Sequence, residues 1–138
     1  MAAEAESDLV VLVSGSRDWT DHELIRKVLR QLPSAKNRLL IHGDCRGCDR
    51  IAAYIGLQEG FKVKSFPAKW WFLGQKAGPI RNTEMLNYLA ECRKKGQRTF
   101  VVAFHDNLEK SKGTADLVKK AEEMGFLVPL YRETSSPE

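Results

Sequence analysis

The sequence predicts an α/β fold: one domain whose five-stranded, mainly parallel sheet carries helices on both faces. Three observations predict it. Five short apolar runs alternate with four segments of helical period. The first run, Leu9 to Val13, is apolar without interruption, as a strand covered on both faces must be. Glycine-bearing polar stretches follow the apolar runs, which is where open α/β sheets keep their binding loops.

Taken in order, the first strand ends at Ser14-Gly15-Ser16-Arg17-Asp18. Thr20 and Glu23 then stand at capping-box spacing, and Leu24, Ile25, Val28, Leu29 and Leu32 follow at helical period until Pro33 closes the helix. The second strand, Leu39 to Ile41, runs into His42-Gly43-Asp44-Cys45-Arg46-Gly47-Cys48-Asp49-Arg50. There Gly43 and Gly47 let the backbone turn sharply, Asp49 is placed to cap the next helix, and the arginines can fork onto phosphate. That helix begins near Ile51 and stops at Gly60. The third strand is Lys62 to Phe66. From Pro67 to Pro79 no period is visible, and a loop that long inside a small domain is more often functional than idle. Its Trp70 and Trp71 either plug the core or offer a ring to a ligand. Pro79 suits a first helical position, with Met85, Leu86, Leu89 and Ala90 on one face and Gly96 at the end. Arg81, in the first turn beside Asn82, opposes the helix dipole and calls for a nearby anion. Thr99 to Phe104 is the fourth strand. Ser111-Lys112-Gly113-Thr114-Ala115-Asp116 opens the last helix, and Phe126 to Leu130 is the fifth strand, placed at an edge by Pro129.

At 138 residues, with 43% hydrophobic and 29% charged side chains, the chain is long enough for one core and too apolar for disorder. Residues 1–8 and 133–138 are expected to be frayed tails around a domain spanning 9–132. No run reaches membrane-spanning length, and the acidic N-terminus lacks the regions of a signal peptide, so a cytoplasmic address is expected. The net charge of +4 is modest and lacks the aromatic-basic interleaving of single-strand binders, so nucleic acid is not the expected partner. Three cysteines argue against a disulfide framework. Cys45 and Cys48 form a C-x-x-C whose readings are space-filling, redox or metal. No metal-ligand spacing or Ser/His/Asp order emerges among His22, His42 and His105.

The polar groups after the strands suit a phosphorylated ligand: Gly15, Ser16, Arg17, Gly43, Arg46, Gly47, Arg81, Asn82, Lys112, Gly113 and Thr114, with Trp70 available to stack on a base. Neither G-x-x-x-x-G-K-[ST] nor G-x-G-x-x-G is present, which sets aside Walker-type hydrolases and dinucleotide dehydrogenases. No cofactor is expected, apart from a divalent metal accompanying the ligand's phosphate.

These stretches also resemble a known family. Val13-Ser14-Gly15-Ser16-Arg17-Asp18-Trp19, His42-Gly43 with Gly47-x-Asp49-Arg50, Pro67-Ala68-x-Trp70, Ala77-Gly78-Pro79-x-Arg81-Asn82-x-x-Met85 and Gly113-Thr114-Ala115-Asp116 are similar to the YspA-type branch of the SLOG superfamily. The resemblance runs from about Val10 to Tyr131. It implies a Rossmann-like sheet of order 3-2-1-4-5, a pocket for a nucleotide-derived small molecule, and kinship to LOG-type phosphoribohydrolases. Such relatives pair as dimers, so a homodimer is the oligomer it implies. The LOG enzymes carry P-G-G-x-G-T-x-x-E; here Leu117 takes the place of the acid and Asp116 precedes it. Two main functions are therefore expected to compete. One is binding of a nucleotide derivative. The other is N-glycoside hydrolysis, with Asp116 first, then Asp49 or Asp44, stabilising an oxocarbenium-like ribose or activating water. A plainer reading makes Asp49 a helix cap and Asp116 a dipole partner. A DNA-associated role, as in DprA relatives, has only the basic charge in its favour.

Overall fold

The computed structural model describes residues 7–133, so of the expected tails, 1–8 and 133–138, residues 1–6 and 134–138 lie outside the described residues. Asp8 and Glu133, at the borders of those tails, hydrogen bond to the body. Asp8 exchanges bonds with Asn37, and the Glu133 carboxylate accepts from the backbone N–H groups of Thr20 and Asp21.

Five parallel strands form one sheet in the order β3-β2-β1-β4-β5: β1 (Leu9–Gly15), β2 (Arg38–His42), β3 (Lys62–Ser65), β4 (Arg98–Phe104) and β5 (Leu130–Tyr131). This is the expected α/β architecture, with every pairing parallel. The helices are α1 (His22–Gln31), α2 (Cys48–Gln58), the single turn α3 (Trp70–Leu73), α4 (Ala77–Lys94) and α5 (Gly113–Glu123).

The uninterrupted apolar run explains why β1 lies at the centre. Leu9, Val11 and Val13 pack with Ile25, Val28 and Leu29 of α1 and Ala52 and Ile55 of α2. Val10 and Leu12 face Met85, Leu86 and Leu89 of α4 and Leu117 and Ala121 of α5. All five apolar β1 side chains, Leu9 to Val13, are fully buried, each worth about 1.5–3 kcal/mol relative to exposure. The chain order reverses at β1, whose neighbours β2 and β4 carry it outward in opposite directions, and the crevice at that reversal opens at the carboxyl ends of the strands.

Three sequence expectations need correction. The cap of α1 is Asp21, not Thr20: its carboxylate accepts from Leu24 N–H at 3.0 Å, while Thr20 turns to Glu133. The stretch after Pro67 is not a plain loop, because α3 and a 3₁₀ turn (Gly74–Lys76) lead directly into α4, which makes Pro79 its third residue. The fifth strand is only Leu130–Tyr131, since Phe126 N–H closes the end of α5 on Ala121 O. Its edge position agrees with Pro129, whose carbonyl accepts from Ala103 N–H.

Candidate functional site

The loops after β1 and β2 are bound to each other. Ser16 N–H donates to Phe104 O, and Ser16 O accepts from Cys48 N–H at 3.0 Å. Gly47 allows this approach. Its φ is +73°, and a Cβ there would collide with the carbonyls of Ser16 and Arg17. Gly15 is equally constrained, by Phe104 O and the Cys48 side chain. The start of α2, expected to cradle an anion, is thus partly satisfied from within.

Asp49 does not cap its own helix. Its buried carboxylate accepts from Gly43 N–H (3.0 Å) and Cys45 N–H (3.3 Å), so it braces the preceding loop. Burial pushes its pKa up to about 6, against the opposing pull of the Cys45 N–H, the Arg81 charge and the Gly43 N–H. Arg81 is equally buried. Its Nη1 donates to Gly43 O at 2.5 Å and its Nε to Asn82 Oδ1 at 3.0 Å. The partners that its place near the start of α4 demanded are therefore internal: the Gly43 carbonyl oxygen accepts its hydrogen bond, and the Asp49 carboxyl is near enough to feel its charge. Gly43 is glycine because a Cβ would lie 2.5–2.9 Å from the Arg81 guanidinium. Asn82 completes the network, its Nδ2 donating to Gly113 O (3.1 Å) and to Asp116 Oδ2 (3.0 Å). Asp116 also pairs with Lys120 at 3.0 Å.

Two adjoining cavities open at this edge. The larger, about 550 Å³, is lined by Gly15, Ser16, Arg17 and Asp49, by Trp70, Arg81 and Asn82, and by Lys112, Gly113 and Thr114. The smaller, about 280 Å³, is lined by Gly43, Asp44, Arg46 and Arg50. Arg17, Cys45 and Trp70 belong to both walls. Of the fifteen residues singled out in the sequence, ten line the larger cavity and three more (Gly43, Asp44, Arg46) line the smaller. Gly47 and Asp116 line neither.

The start of α5 is likewise engaged from within. Ser111 Oγ accepts from the N–H groups of Thr114 and Ala115, which caps the helix. A Cβ on Gly113 would meet nothing within 4 Å. No local packing requires glycine there, and its backbone lines the cavity. Trp70 is half exposed, with Arg17 Cζ 6.0 Å from its ring centroid, and Trp71 is 81% exposed. Neither plugs the core.

Cys48 is buried and its thiol is pushed well up by burial, the opposite of a reactive thiolate. None of the three cysteines is in a disulfide, and no group of three or more His, Cys, Asp and Glu side chains able to hold a metal ion occurs among the described residues. His42 takes Asp44 N–H on Nδ1, and burial lowers its pKa. It fastens the loop.

Sequence reasoning did not assign His105, Ser111 and Gln75 to the cavity wall. His105 was findable by position, one residue past the carboxyl end of β4. Its Nδ1 accepts from Asn107 N–H, which leaves the ring proton on Nε2. Gln75 carried no sequence signal.

A parallel sheet reversing at β1, with a cavity at the carboxyl edge, defines a Rossmann-like α/β architecture, and open sheets of this kind hold ligands at that crevice. The model of the YspA, cpYpsA-related SLOG family matches residues 9–71. The Gene 61 protein of Mycobacterium phage D29 is 34% identical over 125 residues, covering 86% of this chain and 92% of that protein. The chain belongs to the YspA, cpYpsA-related SLOG family. No helix among the described residues is long and apolar enough to cross a membrane.

Proposed function

We propose that the chain binds a nucleotide or nucleotide-derived ligand in the larger cavity, with its phosphate toward the start of α5 and its base toward Trp70. The observation that carries this reading is the convergence of three strand-end loops on one cavity, together with a glycine, Gly113, that packing does not explain. Its volume falls within the roughly 300–1,000 Å³ usual for small-molecule sites. Lys112 and Arg17 supply charge, Ser16 a hydroxyl, and the α5 dipole adds a positive end. Family membership supports nucleotide-related binding or processing.

Binding is favoured over hydrolysis because of where the carboxylates sit. Asp116 is engaged by Asn82 and Lys120 and lies outside both cavity walls, while Asp49 is engaged by loop N–H groups. Titration calorimetry with adenosine 5′-monophosphate tests the reading. Binding at millimolar concentration or tighter is expected, weakened about tenfold or more by Gly113→Val, with the melting temperature held. Silence toward every nucleoside monophosphate, or affinity indifferent to that substitution, sinks it. Free adenine appearing in the same sample shifts the reading to the hydrolase.

A further inference from the structure

We infer that the occupant of this site is phosphorylated at two places, with its second phosphate in the smaller cavity between Arg46 and Arg50. The inference rests on the larger cavity being the nucleotide site and names what else that nucleotide carries. The two cavities are not separate features, since Arg17, Cys45 and Trp70 stand on the wall of each. A nucleoside lying along Trp70 in the larger cavity therefore lies next to the smaller one. Three arginines, Arg17, Arg46 and Arg50, line the smaller cavity against a single carboxylate, Asp44. That imbalance favours an anion over a second base or an apolar group.

The present partners of these arginines are weakly held. Arg46 reaches Asp18 at 3.6 Å and Arg50 reaches Asp44 at 3.5 Å, with both arginine side chains more than 60% exposed. Exposed pairs of this length are worth little. A phosphate offers each guanidinium a bidentate acceptor that matches its planar fork, which a single long carboxylate contact does not. Exchange of carboxylate for phosphate is therefore favourable. The neighbouring wall is suited to it: Gly43, Pro67 and Ala68 present small side chains or none. With Lys112 confined to the larger cavity and Arg46 and Arg50 to the smaller, the cationic groups lie on two sides of the shared wall. The matching chemistry is a nucleoside bearing phosphate on both sides of its sugar, either a free bisphosphate or the 5′-phosphorylated end of a short strand.

Calorimetry with adenosine 5′-monophosphate, adenosine 3′,5′-bisphosphate and the dinucleotide pApA tests it. The second phosphate is expected to tighten binding about tenfold over the monophosphate, the equivalent of about 1.4 kcal/mol. Preference for the bisphosphate or for pApA identifies a free nucleotide or a strand end respectively. In the Arg46→Ala/Arg50→Ala variant the ratio of the two dissociation constants is expected to fall toward one. Both positions are exposed, so the variant keeps the fold, which circular dichroism checks. Equal affinities in the native protein, or a ratio that survives the double substitution, overturn the inference while leaving the nucleotide site standing. No affinity for any of the three ligands overturns both.

Discussion

Among single residues, Gly43 and Gly113 show how two glycines in one site can serve opposite ends. At Gly43 the absent Cβ is replaced by the Arg81 guanidinium, which lies on the backbone and donates to its carbonyl. Gly43→Ala must displace a buried, doubly bonded arginine, and overpacking of this kind costs about 1–3 kcal/mol. At Gly113 nothing is displaced, and alanine is the better helix former. Gly113→Ala is expected to leave stability within about 0.5 kcal/mol or to raise it slightly, and to weaken nucleotide binding if the proposed phosphate lies against the Gly113 backbone. Urea unfolding and calorimetry on both variants separate the roles. A Gly113→Ala protein as unstable as Gly43→Ala, yet unimpaired in binding, contradicts the assignment.

Between elements, α4 and α5 are joined by Asn82. Its amide oxygen accepts from Arg81 Nε, and its nitrogen donates to Gly113 O at the start of α5 and to Asp116. Asn82→Ala leaves a buried guanidinium N–H without its acceptor, at about 1–3 kcal/mol by the desolvation of that group. Destabilisation in that range by urea titration, with little change of m-value, is the expected result; a neutral substitution shows that the two helices dock without it. Such cross-links explain what the sequence made legible and what it hid. Strand β1, the helix periods and the position of the polar loops could be read because apolar period and chain order dictate them. The partners of Arg81 and Asp49 could not, because Gly43 and Arg81 are 38 residues apart and only the packed fold brings them together. Sequence showed that Arg81 lacked a counter-charge but not that the fold itself supplies it. The capping-box spacing misled at Thr20 because Asp21, one residue later, offers a better-placed acceptor and Glu133 engages Thr20.

For the whole molecule, three of the described groups shape the dependence of stability on pH below neutrality, and their signs differ. Glu59, gripped by Arg30 and Arg26, has its pKa drawn down to about 2 from 4.5. Its contribution is present above about pH 4.5 and is lost as pH falls through 2. His42 is held neutral by burial and has a lowered pKa, so stability rises with pH toward 6.5 on its account. Asp49 acts the other way. Its pKa is raised from 3.8 to about 6, so the folded state binds the proton more tightly than the unfolded chain. That contribution is full below about pH 4 and is lost as pH rises through 6. A shift of two units corresponds to about 3 kcal/mol, to order of magnitude. Because His42 and Asp49 oppose each other over overlapping windows, the native profile alone does not separate them. Asp49→Asn does, since its side chain cannot ionise. Subtracting the unfolding free energies of the two proteins cancels Glu59 and, to first order, His42. The native protein's advantage is expected to shrink by a few kcal/mol between pH 4 and pH 6 and to level off above. A difference that is flat across that interval, or that grows with pH, means that Asp49 is ionised in its loop, with Arg81 outweighing burial.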